Sequence, residues 1–547
     1  MIKTNVKVQQ GVVKGCIEKL PNGKNYFRFS GIPYAQSPIG DLRFKSPQKL
    51  LKFDKPEIDC TKEGSECFHR SAYITDFVGS EDCLYLNVYV PESEDSSEPK
   101  AVMVWLHGGG FSFGSGSIEW YSPEYLLMED VIVITVNYRL HALGFLTLPS
   151  MGINGNAGLK DQQMALEWIY KNISNFNGDV KRICLFGESA GGASVHFQVL
   201  SSKSRKFIST AICQSGVAIC DWAVLRDAEK QTKLLAKHLG CISENDKDIY
   251  DTFMNTSAKD LFNCITKTSF KDKLGRHLTF VFKPCIERES DDAFMSKSPI
   301  ELMKTEDIKI PIIFGTNDAD GMIQTAAMRK RFSHFNKNLI KLIPESINIK
   351  LNDPNILELG KQIKSFYFGE RDISIDEIYN FIDYMTDIYF LIGQTVTNEL
   401  HARYQHNSKQ YLYEFRFDGE LNLFKKVLMM EEYKGACHAD EVFYLFGQRN
   451  FDLDFKENSP TAVIRSILCK LWTNFAKYNN PTPKNKNPLS FEWQPANNVD
   501  KNVTKIDFDY LIIDENFKME KNVNKRRMDF WREVYKTWNS DFVKPKL

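Results

Sequence analysis

No sign of charge predominates in this chain: 70 lysines and arginines stand against 70 aspartates and glutamates over 547 residues. Without a basic excess, nothing draws it to nucleic acid or to an anionic membrane surface. Long apolar runs are missing too. The stretch 131–138 has the length of a buried strand, too short to span a bilayer. Met1-Ile2-Lys3-Thr4-Asn5-Val6 carries no apolar segment of the secretory type. Pro545-Lys546-Leu547 is neither an ER-retention tetrapeptide nor the standard peroxisomal tripeptide. The expected location is therefore cytoplasmic, with secretion or the ER lumen as the alternative if the N-terminus is incomplete. Internal repeats and low-complexity linkers are also lacking, so we expect a single domain over 1–547. No motif calls for a metal or a cofactor, and the oligomeric state is left open.

What is present lies in a few loops. Ile183-Cys184-Leu185-Phe186 is a short apolar run entering Gly187-Glu188-Ser189-Ala190-Gly191, and a helix-compatible segment follows. G-x-S-x-G between a strand and a helix is a nucleophile elbow: the strained turn projects the serine hydroxyl above the sheet. The flanking glycines avoid collisions with the neighbouring strand and helix, and the helix start offers N–H groups to an anion.

A serine nucleophile requires oxyanion donors, a base, and an acid that orients the base. Upstream, Val102-Met103-Val104-Trp105-Leu106 ends in His107-Gly108-Gly109-Gly110-Phe111, a loop of the HGGG type. The expected donors are the N–H groups of Gly109, Gly110 and Ala190. Downstream, Ile310-Pro311-Ile312-Ile313-Phe314 leads into Gly315-Thr316-Asn317-Asp318-Ala319-Asp320-Gly321, where Asp320 is the first choice of acid and Asp318 the reserve. His438, in Gly435-Ala436-Cys437-His438-Ala439-Asp440-Glu441, is the base. Of the other histidines considered, His69 precedes the elbow, His196 lies in the helix after it, and His401 and His406 fall on a helix-to-loop stretch. Residues that distant in sequence must converge on one site. That requires one large α/β unit with long insertions and helices packed on a central sheet. The late segment 461–478 has helical spacing, with Ile464, Ile467, Leu468, Leu471, Trp472 and Phe475 as its apolar stripe.

Together these fragments resemble the type-B carboxylesterases, a group that includes cholinesterases and non-catalytic neuroligin-like adhesion proteins. Further matches are Phe29-Ser30-Gly31-Ile32-Pro33-Tyr34-Ala35, Glu81-Asp82-Cys83-Leu84-Tyr85-Leu86-Asn87-Val88, Asn156-Ala157-Gly158-Leu159-Lys160-Asp161-Gln162 and Phe176-Asn177-Gly178-Asp179. The resemblance implies an α/β-hydrolase fold, a large mostly parallel central sheet flanked by helices. It places Ser189, Asp320 and His438 on the family's triad and Gly109, Gly110 and Ala190 on its oxyanion hole. Glu188 and Ser215 fall on a second polar network behind the histidine, and Arg43 with Glu81 on a buried ion pair. Most members carry glutamate at position 320, so the shorter aspartate requires a closer loop. Cys67 and Cys83 match the family's first disulfide, a bond that a reducing compartment would leave as thiols. Cys241 matches half of the second, but 251–253 holds no cysteine. Sequons stand at Asn172, Asn255 and Asn502.

The resemblance also separates branches. Adhesion members have lost the nucleophile, which this chain keeps. Cholinesterases place a tryptophan in the loop closed by the first disulfide, where its face binds a quaternary ammonium; residues 68–82 hold none. The implied activity is hydrolysis of small to medium uncharged carboxylic esters, with Trp222 and Phe111 as pocket walls. Acyl transfer through the same acyl-enzyme, and a binding protein with a vestigial site, are the alternatives.

Overall fold

The computed structural model describes residues 4–71, 76–92, 98–267, 280–347, 349–449, 455–456, 458–496, 498–500, 503 and 506–538. Among them, eleven strands form one sheet: β1 (Cys16–Lys19), β2 (Asn25–Pro33), β3 (Tyr85–Pro91), β4 (Lys100–Leu106), β5 (Ile132–Val136), β6 (Gly178–Glu188), β7 (Thr210–Gln214), β8 (Ile312–Asn317), β9 (Gln410–Phe415), β10 (Asp509–Ile513) and β11 (Lys518–Lys521). Their spatial order is β1-β2-β3-β5-β4-β6-β7-β8-β9-β10-β11. The run from β5 to β10 is parallel, and the strands outside it pair antiparallel. This is the α/β-hydrolase fold, a mostly parallel sheet flanked by helices.

Central parallel strands are covered on both faces, so their middle residues are predominantly apolar. All seven residues of β4 are buried, and their alternation sorts the core. Val102, Val104 and Leu106 join one apolar cluster, while Ala101, Met103 and Trp105 join another on the opposite face. The helices Ala157–Asn172 and Ala190–Leu200 cover the first face. Pro460–Tyr478 covers the second, started by Ser459, whose Oγ accepts the Ala462 N–H at 3.3 Å. Ile464, Leu468, Leu471, Trp472 and Phe475 of its stripe are buried, and Ile467 is half-buried.

Parallel register sets the site. Gly187 pairs with Leu106 and Cys213, and Gln214 pairs with Gly315. The carboxyl ends of β4, β6, β7 and β8 therefore finish side by side, the edge where ligands bind in open α/β sheets. Arg43 meets Glu81 through two N–O contacts of 2.6 and 2.9 Å and donates to the Phe253 and Thr256 carbonyls. Cys67 and Cys83, Cα atoms 4.8 Å apart, are joined by a disulfide rather than held as thiols. Asn172 is buried, with its amide engaged by Gln9 N–H and the Trp168 carbonyl, so that sequon is closed to a glycan. Asn255 is exposed, and Asn502 lies outside the described residues. Among the described residues no helix is long and apolar enough to cross a membrane.

Candidate active site

β6 stops at Glu188 and the next helix begins at Ala190, which leaves Ser189 to turn the chain alone. It does so at φ 58° and ψ −122°, a backbone region that costs an L-residue about 1–3 kcal/mol. Its N–H donates to the Gln214 carbonyl at 2.8 Å, pinning the turn to β7. The flanking glycines are sterically required: a Cβ on Gly191 would lie 2.0 Å from the Leu106 oxygen, and one on Gly187 2.5 Å from the same atom. Ala190 opens the helix, so its N–H has no partner within it.

The loop after β4 presses on this turn. A Cβ on Gly108 would sit 2.8 Å from Glu188 Oε2 and 3.2 Å from Ser189 Cβ. Gly109 and Gly110 take φ of 101° and 59°, conformations glycine adopts without strain. His107 is buried beneath them and stacked on Tyr138 at 4.4 Å. Burial pushes its pKa down to about 3.

The acid and base loops are fastened to each other. Ala319 N–H donates to Ala436 O at 3.2 Å, and Asn317 Nδ2 to Cys437 O at 2.6 Å. Asp320 Oδ2 accepts the Asn317 N–H and the Ser215 hydroxyl, both at 2.9 Å, which leaves Oδ1 to meet His438 Nδ1 at 2.8 Å. The fastening brings the shorter aspartate into reach. Asp318 points elsewhere: its Oδ1 accepts the Ala436 N–H at 2.8 Å, and burial pushes its carboxyl up to about 8.

Glu188 does not sit behind the histidine. Its Oε1 lies 2.9 Å from His438 Nε2, on the side facing Ser189, because β6 delivers residues 188 and 189 to the same edge. Ser215 alone takes the position behind, on Asp320. The imidazole thus lies between two carboxylates, and Ser189 Oγ makes no hydrogen bond to it. Burial opposes a charge on His438, yet Glu188 and Asp320 together hold its pKa well above the ordinary value. Burial raises the Glu188 carboxyl. Phe390 covers the ring at 4.5 Å from centroid to centroid.

Known proteins resemble this chain over nearly its whole length. The model of the Carboxylesterase family matches residues 2–531. The chain belongs to the carboxylesterase family. Over 96% of its length it is 33% identical to a juvenile hormone esterase of Tribolium castaneum, covering 93% of that protein. It is 31% identical to a cholinesterase of Mus musculus, over 92% of this chain and 82% of the relative. The crystal structure of juvenile hormone esterase from Manduca sexta, with OTFP covalently attached, superposes with a TM-score of 0.84 at 28% identity. That match covers 98% of this chain and all of the other.

This family member has a cavity of about 640 Å³ above the elbow, within the range of small-molecule sites. Ser189, His438, Glu188 and Gly108 to Gly110 form its floor. Trp222 lines one side of it. Phe111 does not: its ring is fully buried and packs behind, against Phe145 and Trp222, because its backbone turns at φ 59° and carries the ring into the core. Phe113, Trp120, Phe280 and Phe390 face the cavity instead. The disulfide-closed loop adds His69, Ser71 and Val78 and no tryptophan, and Glu66 just before it extends the polar edge.

Two features escaped the sequence reading. Phe390 arrives from a π-helical turn, Asp387–Leu391, whose extra residue re-aims the side chains after it. Glu441, three residues past His438, is buried with its carboxyl pushed up to about 8 by burial. It is held by Asn317 Nδ2 at 2.7 Å and Gln214 Nε2 at 3.1 Å. Its place beside the histidine was visible in the sequence, but its partners come from β7 and β8.

Proposed function

We propose that this protein hydrolyses uncharged carboxylic esters through an acyl-enzyme on Ser189. The observation that carries the reading is His438, bonded to Asp320 through Nδ1 with Nε2 turned toward the serine side of the site. His438 takes the Ser189 proton as Oγ attacks the ester carbonyl, and Asp320 fixes the tautomer and stabilises the imidazolium. The N–H groups of Gly109, Gly110 and Ala190 receive the tetrahedral oxyanion, each worth roughly 3–4 kcal/mol. The imidazolium then protonates the leaving alcohol, and water activated by the same base releases the acid.

Glu188 acts before the chemistry. In the resting site it holds Nε2, so the ring must shift from Glu188 Oε1 to Ser189 Oγ when ester fills the cavity. Such contacts commonly tighten only in the substrate complex. The aromatic walls favour acyl or alcohol groups of small to medium size without charge, and the names of two relatives add juvenile hormone to the esters worth testing.

The test is hydrolysis of p-nitrophenyl acetate, butyrate and octanoate by the protein beside Ser189→Ala, with acetylthiocholine as a charged comparison. Turnover of the neutral esters is expected to fall by at least about 10³-fold in the variant. Equal rates in both proteins, or acetylthiocholine as the preferred substrate, would refute the reading.

A further inference from the structure

A second cavity, of about 510 Å³, lies on the far side of Trp222 and Phe280, the two residues that wall it and the Ser189 cavity alike. Its inner surface is apolar, with Trp222, Phe335, Tyr384, Met385 and Ile388. Its edge is basic. Lys330, Arg331 and Lys341 face it together with the buried Lys283 and with His334.

That edge comes from a stretch out of keeping with a charge-balanced chain. Between Asp320 and Glu345 the sequence has Arg329, Lys330, Arg331, Lys337 and Lys341 and no acid. Elsewhere such side chains find carboxylates, as Arg139 does with Asp161 at 2.6 Å and Arg205 with Glu306 at 2.7 Å. Among the described residues no carboxylate pairs with Lys330, Arg331 or Lys341; Lys341 donates instead to His334 Nε2. Two acids, Asp221 and Glu345, also line the cavity, but Asp221 Oδ2 is occupied by the Glu345 N–H at 2.5 Å. Cations at the rim therefore outnumber acids, and among the described residues Lys330, Arg331 and Lys341 belong to no ion pair with a carboxylate.

An apolar chamber with such a rim discriminates by two criteria at once. A neutral ligand gains from the walls but leaves the cations as they were. A small anion gains from the cations, which remain solvated and screened, but leaves the aromatic surface wet. An anion with an apolar tail uses both, and a planar carboxylate matches the forked donors of Arg331. We infer that this cavity binds a free carboxylate with an apolar tail, its chain against Trp222, Tyr384 and Met385 and its head at Lys330, Arg331 and Lys341. The inference goes beyond ester hydrolysis and needs no turnover at Ser189.

The experiment is calorimetric titration of sodium decanoate into Ser189→Ala protein, with and without the added substitutions Lys330→Gln, Arg331→Gln and Lys341→Gln. The triple change is expected to raise the decanoate Kd at least about tenfold, equivalent to about 1.4 kcal/mol. Decanol, the same tail without charge, should bind both proteins alike, and inorganic phosphate, charge without a tail, should compete poorly. An unchanged melting midpoint confirms folding, and Ile388→Trp, which narrows the chamber, gives an independent loss of decanoate binding. Decanoate binding that survives the triple change places the ligand elsewhere and overturns the inference, as does phosphate competing as well as decanoate. Loss of decanoate binding in a protein that proves inactive on esters would sustain this cavity while removing the esterase reading.

Discussion

Six histidines are buried among the described residues, and folding treats one of them oppositely to the rest. His69, His107, His141, His196 and His401 all have their pKa lowered, with burial as the leading cause. His438 is equally buried and has its pKa raised. The sharpest contrast is with the pair His196–His401, whose Nε2 atoms are 3.2 Å apart beside Phe314. His196 Nδ1 accepts the Ala218 N–H at 3.1 Å, so its proton resides on Nε2 and points at His401. Burial lowers the pKa of both rings, and among the described residues no carboxylate contacts either. Burial alone thus lowers a histidine's proton affinity; burial between carboxylates raises it, as the proposed base requires.

Removing the charge behind His438 leaves Glu188 in place, so the ring should move only part of the way toward the other five, yet the change should carry the largest effect. Asp320→Asn retains the shape of the contact while forfeiting the charge and the tautomer, and should reduce kcat for p-nitrophenyl butyrate by roughly 10³–10⁴-fold. A loss below tenfold would mean that the 2.8 Å contact is incidental. Ser215→Ala acts one step further back by freeing Asp320 Oδ2 from one of its two donors. A hydrogen bond to a charged group is worth about 1.5–3 kcal/mol, so kcat should drop by roughly 10- to 150-fold while KM changes little.

The smallest effect probes the other side of the comparison. The folded-state pKa of His401 is pushed down to about 3 from an ordinary 6.5. Below pH 6.5 the unfolded chain binds a proton that the native chain refuses. Stability is therefore full above pH 6.5 and is lost as the pH falls toward 3. His401→Gln keeps an acceptor for His196 Nε2–H but cannot titrate. Denaturant unfolding between pH 7 and 5 should show a pH slope shallower by about 1 kcal/mol per unit below 6.5 than in the parent. An identical slope would show that this ring does not remain neutral in the folded protein.

How far the sequence revealed this site depended on how local each feature is. The elbow was legible because its glycines, its serine and the strand and helix around it are contiguous. Asp320 and His438 were legible because each follows an apolar strand or glycine at a chain position that the elbow chemistry demands. Asp318 could not be set aside from spacing, since only the fastening of the two loops shows its carboxylate turned to the Ala436 backbone. Glu188 was assigned to the wrong side of the ring, because a residue's position in a strand does not say which nitrogen it will meet. Phe111 was misplaced by its own backbone, whose positive φ carries the ring into the core. Phe390 depends on one extra residue in a helical turn, a shift that leaves no mark on periodicity. The second cavity is likewise assembled from distant segments, although the acid-free stretch 321–344 was there to be counted.

In the proposed mechanism, carboxylates on both sides of His438 set its proton affinity and make it the base. The pH dependence of kcat/KM for p-nitrophenyl butyrate, in the parent and in Glu188→Gln, tests it most directly. The raised pKa predicts an acid limb in the parent with its inflection above 6.5, because only the neutral imidazole can accept the Ser189 proton. Glu188→Gln removes one flanking charge, which favours the neutral ring, so the inflection should move to lower pH. An inflection that stays in place, or moves upward, would contradict the account.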